Sequence, residues 1–315
     1  MKPQRAAVDA LATRVVGRRR ELEVVAAALA AERHVLLEGP PGTGKSTVLR
    51  AIADAHEIGF VFVEGNAELT PARLAGHFDP AQVMAEGYTP DIFVDGPLVE
   101  ALRNGALLYV EEINRIPEET LNLLITVMSE RELHVPRLGR VPAAPGFRLV
   151  AAMNPFDAVG TARISGAIYD RVCRIAMGYQ TDAEEHEIVL RETTSPHDRL
   201  CRRAVATVRS TRTHSDIRIG SSVRGAIDLI RIAEGLAELR DVDPAGTGPD
   251  AEEVGLDAAL AALSGRIRVQ EGSNRTPEEL VTELWGATAG IDDERPTRPD
   301  PPQGKAPTPS AATTT

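Results

Sequence analysis

The chain has 315 residues, 43% of them hydrophobic but only 3% aromatic, with 46 acidic against 35 basic residues and a formal net charge of -11. That length holds one large or two modest domains, with a core built from Ala, Leu, Val and Ile. The acidic balance argues against a nucleic-acid surface as the main business, because phosphate binding needs clustered Lys and Arg. No apolar run approaches the ~18 residues of a membrane span, and the N-terminus lacks the apolar stretch of a signal peptide. Cys173 and Cys201 lack metal-ligand spacing and read as reduced thiols, so a cytoplasmic location is expected.

Residues 1–14 read as a loosely ordered lead-in. Residues 19–31 carry Leu22, Val25, Ala26 and Leu29 at helical spacing. Val35-Leu36-Leu37 is a short buried strand, followed by a Gly-rich loop and a helix over residues 47–55. Phe60-Val61-Phe62-Val63 is a second strand. Residues 68–96 read as irregular, punctuated by Gly, Pro and Asp. A short helix spans 97–104, and Ala106-Leu107-Leu108-Tyr109-Val110 is a third strand, buried on both faces by its continuous apolar character. A helix over 118–130, a hairpin over 133–141 and a fourth strand over 147–153 complete the first half. Strands alternating with helices predict a parallel sheet covered on both faces.

After about Gln180 the pattern becomes helical. Thr181-Asp182-Ala183-Glu184 is a capping box. Further helices are expected over 203–212, 221–239 and 251–263, with a last one opened by Thr276-Pro277-Glu278-Glu279 and Pro277 at its first position. The expected organisation is a lead at 1–14, an α/β core at 15–180, a small all-helical domain at 181–290, and a Pro/Thr-rich disordered tail at 291–315.

The most specific motif is Gly39-Pro40-Pro41-Gly42-Thr43-Gly44-Lys45-Ser46, which fits G-x-x-x-x-G-K-[ST] between a strand and a helix. Its glycines let several N–H groups converge, and the helix N-terminus adds partial positive charge. Such a loop binds a nucleoside triphosphate. Lys45 can reach the β/γ-phosphates, and the Ser46 hydroxyl can ligate Mg²⁺. No Asn-Lys-x-Asp word is present to read guanine. The third strand ends in Glu111-Glu112, where ligands bind in parallel sheets. One acid can hold the Mg²⁺ shell and the other can deprotonate an attacking water. Asn154 ends the fourth strand and lies beside the third strand's end if the two are neighbours.

These words together resemble the AAA+ ATPases, and within them the MoxR family, over residues 15–285. Gly39 to Ser46 is similar to Walker A, and Leu107 to Arg115 to Walker B with its trailing Ile-Asn-Arg. Ala152-Met153-Asn154-Pro155 resembles sensor 1, Tyr169-Asp170-Arg171 the Asp-Arg word late in the core, and Gly220 to Arg224 the opening of the sensor 2 helix. The resemblance implies a P-loop AAA+ core with a helical lid, binding ATP and Mg²⁺ between subunits of a ring, a hexamer. It implies that Val16 and Gly17 lie on the adenine side. Gly39, Pro40, Pro41, Gly42, Thr43, Gly44, Lys45, Ser46, Thr47 and Arg224 would contact the nucleotide. Ser46 and Glu111 would hold the metal. Glu112, Lys45, Asn154 and Arg171 would be catalytic, with Asn154 positioning water and Arg171 the arginine finger in trans. Arg174 and Arg163 are rival fingers, and Asn66 is a candidate to restrain Glu112.

The chain departs from the family pattern at Glu111, where Asp is usual, at Val223, where Pro is usual, and at Val172, where Phe is usual. The implied activity is chaperone-like remodelling of a protein partner, such as a von Willebrand factor A domain protein. A DNA-directed motor or restriction-type translocase, supported by Arg137 and Arg140, and a nucleotide-gated adaptor with weak hydrolysis are the alternatives. A metal-chelatase motor subunit is a close relative of the main reading.

Overall fold

A computed structural model of the chain describes residues 5–55, 58–155 and 164–290. It divides into two compact units, residues 1–179 and 180–315.

The first unit runs α1 (Arg5–Arg14), α2 (Arg19–Ala30), β1 (His34–Glu38), α3 (Lys45–Ala55), β2 (Phe60–Glu64), α4 (Pro71–Ala75), β3 (Gly76–Phe78), α5 (Pro80–Glu86), β4 (Phe93–Asp95), α6 (Pro97–Asn104), β5 (Leu107–Glu111), α7 (Glu118–Glu130), β6 (Glu132–Val135), β7 (Gly139–Pro142), β8 (Arg148–Met153), α8 (Gly166–Tyr169) and β9 (Val172–Ala176). Five strands form one sheet in the order β2-β5-β8-β1-β9. All four pairings are parallel. Every residue of β8 is buried, as expected for a central strand covered on both faces. Alternation along β5 sends Leu108 and Val110 into a cluster with α6 and α7. Leu107 and Tyr109 go to the opposite cluster with α2 and α3. The α/β fold expected from the strand–helix alternation is therefore present.

Three expectations are corrected. Residues 5–14 form a helix rather than a loose lead, because Val8 and Leu11, three apart, are buried against α2 and α3. The stretch 68–96 is regular: its polar punctuation caps helices. Thr70 accepts from Arg73 N ahead of Pro71, and Asp79 accepts from Ala81 N ahead of Pro80. β3 and β4 within it pair antiparallel. The strand β9 had no place in the sequence reading, because Arg174 interrupts its apolar run and Ile175 is its only buried residue.

The second unit contains α9 (Asp182–Thr193), α10 (Asp198–Thr211), β10 (Ile217–Ile219), α11 (Val223–Arg240), α12 (Pro249–Leu263), β11 (Arg268–Val269) and α13 (Pro277–Ala287). Both predicted capping boxes form, at Thr181–Glu184 and Thr276–Glu279. The expectation of an all-helical unit is corrected by the short antiparallel pair β10–β11, too brief and polar to register as strands in sequence. Buried Glu185 ties α9 to α10 through Arg212 at 2.8 Å and Arg209 at 3.3 Å. Arg212 also donates to Ser221 O at 2.7 Å, which pins the turn ahead of α11.

Trp285 fills the centre of this unit at 2% exposure, under the Arg203 guanidinium. Gly255 of α12 sits against it, and a Cβ there would lie 2.3 Å from the indole. Gly255→Ala should therefore destabilise the second unit by roughly 1–3 kcal/mol through overpacking, despite the better helix propensity of Ala. Denaturant unfolding read by Trp285 fluorescence checks this; an unchanged or raised midpoint contradicts it.

Candidate functional site

The site grows from the order of three neighbouring strands. β8 lies between β1, which leads into the Gly-rich loop, and β5, which ends in the acidic pair. Register aligns Glu38 with Met153 and Val110 with Ala151. Asn154, the residue after β8, thus lies between the loop and Glu111-Glu112. The three segments found separately in sequence meet at the carboxyl edge of one parallel sheet.

The loop's shape follows from its glycines. Gly42 and Gly44 take φ of 73° and 81°, the left-handed region that costs glycine nothing. Gly39 donates to Met153 O at 3.1 Å, and a Cβ there would lie 2.2 Å from Met177 O. Only glycine lets the loop seat so closely on its neighbouring strand ends. Thr43 Oγ1 donates to Pro40 O. α3 begins at Lys45, two residues earlier than the sequence suggested, so Lys45 and Ser46 both occupy its first turn. Lys45 is buried and donates to Gly39 O at 2.9 Å and Pro40 O at 2.8 Å. Pro41 and Thr47 are exposed at the loop's rim.

Ser46 Oγ donates to Glu111 Oε1 at 3.0 Å. The longer acid at the Asp position therefore reaches the serine hydroxyl directly. These are hard oxygen donors on adjacent elements, which suits Mg²⁺. Mg²⁺ prefers one or two carboxylates plus phosphate oxygens over an all-protein cage. No group of three or more His, Cys, Asp or Glu converges among the described residues. Tyr109 has no role in the sequence reading, yet its hydroxyl lies 3.2 Å from Ser46 Oγ. The signal was available: Tyr109 is two residues before Glu111, hence on the same face of β5. Burial, together with the Glu111 charge, pushes the Tyr109 pKa upward.

Glu112 leaves the strand with φ 51° and ψ 44°, a left-handed conformation rare for a non-glycine residue and of the kind that clusters at functional sites. Gly65 at the end of β2 allows this turn, since a Cβ there would lie 2.4 Å from Glu112 O. The Glu112 carboxylate pairs with Arg115 at 3.1 Å. Asn66 instead closes a local turn, accepting from Glu68 N and donating to Glu64 O. The side chain seen against Glu112 is thus that of Arg115, three residues onward.

Arg171 lies just before β9, at the amino edge of the sheet. It donates to Ser129 Oγ at 2.6 Å and Ala167 O at 2.8 Å. Five residues of β9 separate it from the level of the loop, roughly 15 Å at a strand's rise per residue. Arg174 is engaged bidentately with Glu38, at 2.5 and 2.9 Å. Arg163 lies outside the described residues. Val16 and Gly17 precede α2, and the following Arg18 is buried, bonded to Glu21 and to Gly178 O at 2.7 Å. Arg224 is exposed in the first turn of α11, in the second unit. Of the two residues that supported a nucleic-acid reading, Arg137 stacks over Tyr88 and Arg140 pairs with Glu132.

The profile of the AAA domain (dynein-related subfamily) matches residues 34–172. An uncharacterized protein of Staphylococcus haemolyticus is 30% identical over 203 residues, covering 62% of this chain and 76% of that one. One of Staphylococcus epidermidis is 33% identical over 168 residues, covering 53% of this chain and 63% of that one. The chain thus spans under two thirds of the length of this second relative. Among solved structures, the RuvB Holliday junction branch migration motor of Thermotoga maritima is similar at a TM-score of 0.51, with 19% identity over 78% of this chain and 70% of that one. A candidate ATPase of Cytophaga hutchinsonii is similar at a TM-score of 0.50, with 21% identity over 89% and 92%. These likenesses speak for the fold alone. No helix among the described residues is long and apolar enough to cross a membrane.

A cavity of about 400 Å³ opens at the amino edge beside Arg171, lined among others by Glu32, His34, Arg131 and Arg148. His34 Nδ1 accepts from Leu149 N at 2.9 Å, so the neutral ring carries its proton on Nε2. Burial, then the Arg148, Arg131 and Arg33 charges, lower the His34 pKa from 6.5 to about 4. The unfolded chain takes up this proton first as pH falls. Stability present above pH ~6.5 is therefore lost progressively towards pH ~4, by up to roughly 3 kcal/mol. His34→Gln, which keeps an acceptor for Leu149 N, should flatten that part of the stability–pH curve. An unaltered acid limb in urea titrations would count against this assignment.

Proposed function

The chain belongs to the AAA+ family, and we propose that it is a Mg²⁺-dependent ATPase of the MoxR type, working as a hexameric ring that remodels a protein partner. The observation that carries this reading is the convergence of Lys45, Ser46, Glu111, Glu112 and Asn154 at one sheet edge. The order β5-β8-β1, which brings the ends of the three strands side by side, supports it.

Bound Mg²⁺, held by Ser46 and Glu111, would supply charge neutralisation on the β- and γ-phosphates. Loop N–H groups and Lys45 bind the triphosphate, with the Lys45 ammonium exchanging the Gly39 and Pro40 carbonyls for phosphate oxygens. Val16 and Gly17 bound the adenine side. Glu112 accepts the proton of the attacking water once Arg115 releases it, and Asn154 orients that water. Arg171 is the proposed finger for the neighbouring subunit's nucleotide, where a guanidinium can grip developing charge in a fork; its place about five residues of β9 away from its own loop is compatible with that role. Arg224 acts as sensor 2, a role supported by its exposed place in the first turn of α11. A partner of the von Willebrand factor A type and a cytoplasmic setting remain part of this proposal. The pairing of Arg137 and Arg140 within the chain favours it over a DNA-directed motor.

Lys45→Ala should reduce ATP turnover by at least about a hundredfold, as expected for loss of a preorganised charge on the transferring phosphoryl group; normal hydrolysis by this variant sinks the proposal. Inactive Arg171→Ala and Glu112→Gln subunits, mixed, should recover part of the activity, because one kind supplies the acid and the other the finger. No recovery at any ratio contradicts action in trans. A phosphate-release assay with and without DNA should give equal rates; stimulation by DNA would transfer the reading to the motor class.

A further inference from the structure

Three hydroxyl and carboxyl groups on two elements form one directed chain. A serine hydroxyl has one proton to give and two lone pairs to accept with. The Ser46 proton goes to Glu111 Oε1 at 3.0 Å. The Tyr109 hydroxyl stands 3.2 Å from the same serine oxygen. With the serine proton committed, the phenol is the donor. One lone pair of Ser46 is then left, and the hydroxyl, otherwise a free rotor, has a set orientation.

Core packing does not require the Tyr109 oxygen. The ring is fully buried, 5.8 Å from the Phe60 ring and 5.7 Å from the Phe62 ring. The Arg50 guanidinium caps those two phenyl rings at 5.3 and 5.6 Å. A phenylalanine would fill this space equally, whereas a buried phenol costs free energy unless it is hydrogen-bonded. Its bond is made to Ser46, across from β5 to the first turn of α3. Tyr109 and Glu111 share one face of β5, so both reach the same hydroxyl from the same strand.

Granted the nucleotide reading above, we propose that Tyr109 is a positioning residue for the divalent cation. Its hydroxyl orients Ser46, and through Ser46 holds the Glu111 carboxylate, so that one serine lone pair faces the metal position. An Asp at position 111 would need no such aid, being shorter by one methylene with one fewer rotor to fix. The Tyr109 hydroxyl offsets the extra freedom that Glu111 brings.

The test is fluorescent-nucleotide binding by the full chain, titrated with Mg²⁺, for the natural protein and for Tyr109→Phe. Thermal melting of both reports whether the fold is kept. Mg²⁺-free nucleotide affinity should be unchanged, while the Mg²⁺ concentration giving half the cation-dependent gain should rise about tenfold, the scale of losing one hydrogen bond that feeds a charged acceptor. In a Ser46→Ala background, Tyr109→Phe should shift that midpoint no further, because the group it orients is gone. An unchanged midpoint overturns the proposal. So does an equal loss of Mg²⁺-free affinity, which would mark a packing role, or full additivity with Ser46→Ala. Absence of nucleotide binding by the natural protein would instead overturn the nucleotide reading itself, a different outcome from a bound nucleotide with an unmoved Mg²⁺ midpoint.

Discussion

The insertion of β8 between β1 and β5 is the constraint on which the rest of the site depends. β8 follows the other two in sequence, yet its parallel pairing with both brings their carboxyl ends to one level. Gly39 is bonded to the end of β8, and Asn154 emerges from that end. Without this strand, the Gly-rich loop and the acidic pair would sit on separate ridges with a gap of one strand between them. Its uninterrupted burial is the physical reason it occupies the middle: Leu149 to Met153 are all apolar on both faces, and Arg148 at its start is buried and paired with Glu32.

Glu111 illustrates how one methylene changes local chemistry. A glutamate at the end of β5 is long enough to cross to α3 and accept from the Ser46 hydroxyl. The strand and the loop helix are thereby linked by a polar contact in addition to the apolar packing of Tyr109 and its neighbours. Glu112, next along, is turned the other way by its left-handed backbone and pairs with Arg115. Two adjacent identical residues thus face two different partners, Ser46 for Glu111 and Arg115 for Glu112.

The inserts of the first unit are built as ordered elements. Arg137, at the tip of the β6–β7 hairpin with φ 67°, places its guanidinium 4.1 Å from the centre of the Tyr88 ring. Tyr88 in turn meets Phe78 edge-on, and Phe78 meets Phe93 of β4. Six aromatic residues of a chain with few of them are therefore gathered at two places, this junction and the surroundings of Tyr109. Each junction ties together segments that are far apart in sequence, through the large contact area that a ring offers.

Local rules were enough for much of this protein. The Gly39–Ser46 loop, the continuous apolar strands and the capping boxes each depend on neighbours within a few residues, so spacing alone carried them. The same holds for the chemistry of Lys45 and Ser46, which follows from position within one loop. What the chain could not disclose locally is whatever rests on partners distant in sequence. The fifth strand is held by pairing with β1 while its own residues are mostly exposed. The first helix is decided by burial of just Val8 and Leu11. The Glu112–Arg115 pair is local, but it forms at a left-handed turn that spacing rules do not announce. The hydroxyl of Tyr109 was hidden inside an apolar run, where periodicity reads a ring as core. Only the tertiary arrangement, which sets α3 against that face of β5, brings it within hydrogen-bonding distance of Ser46.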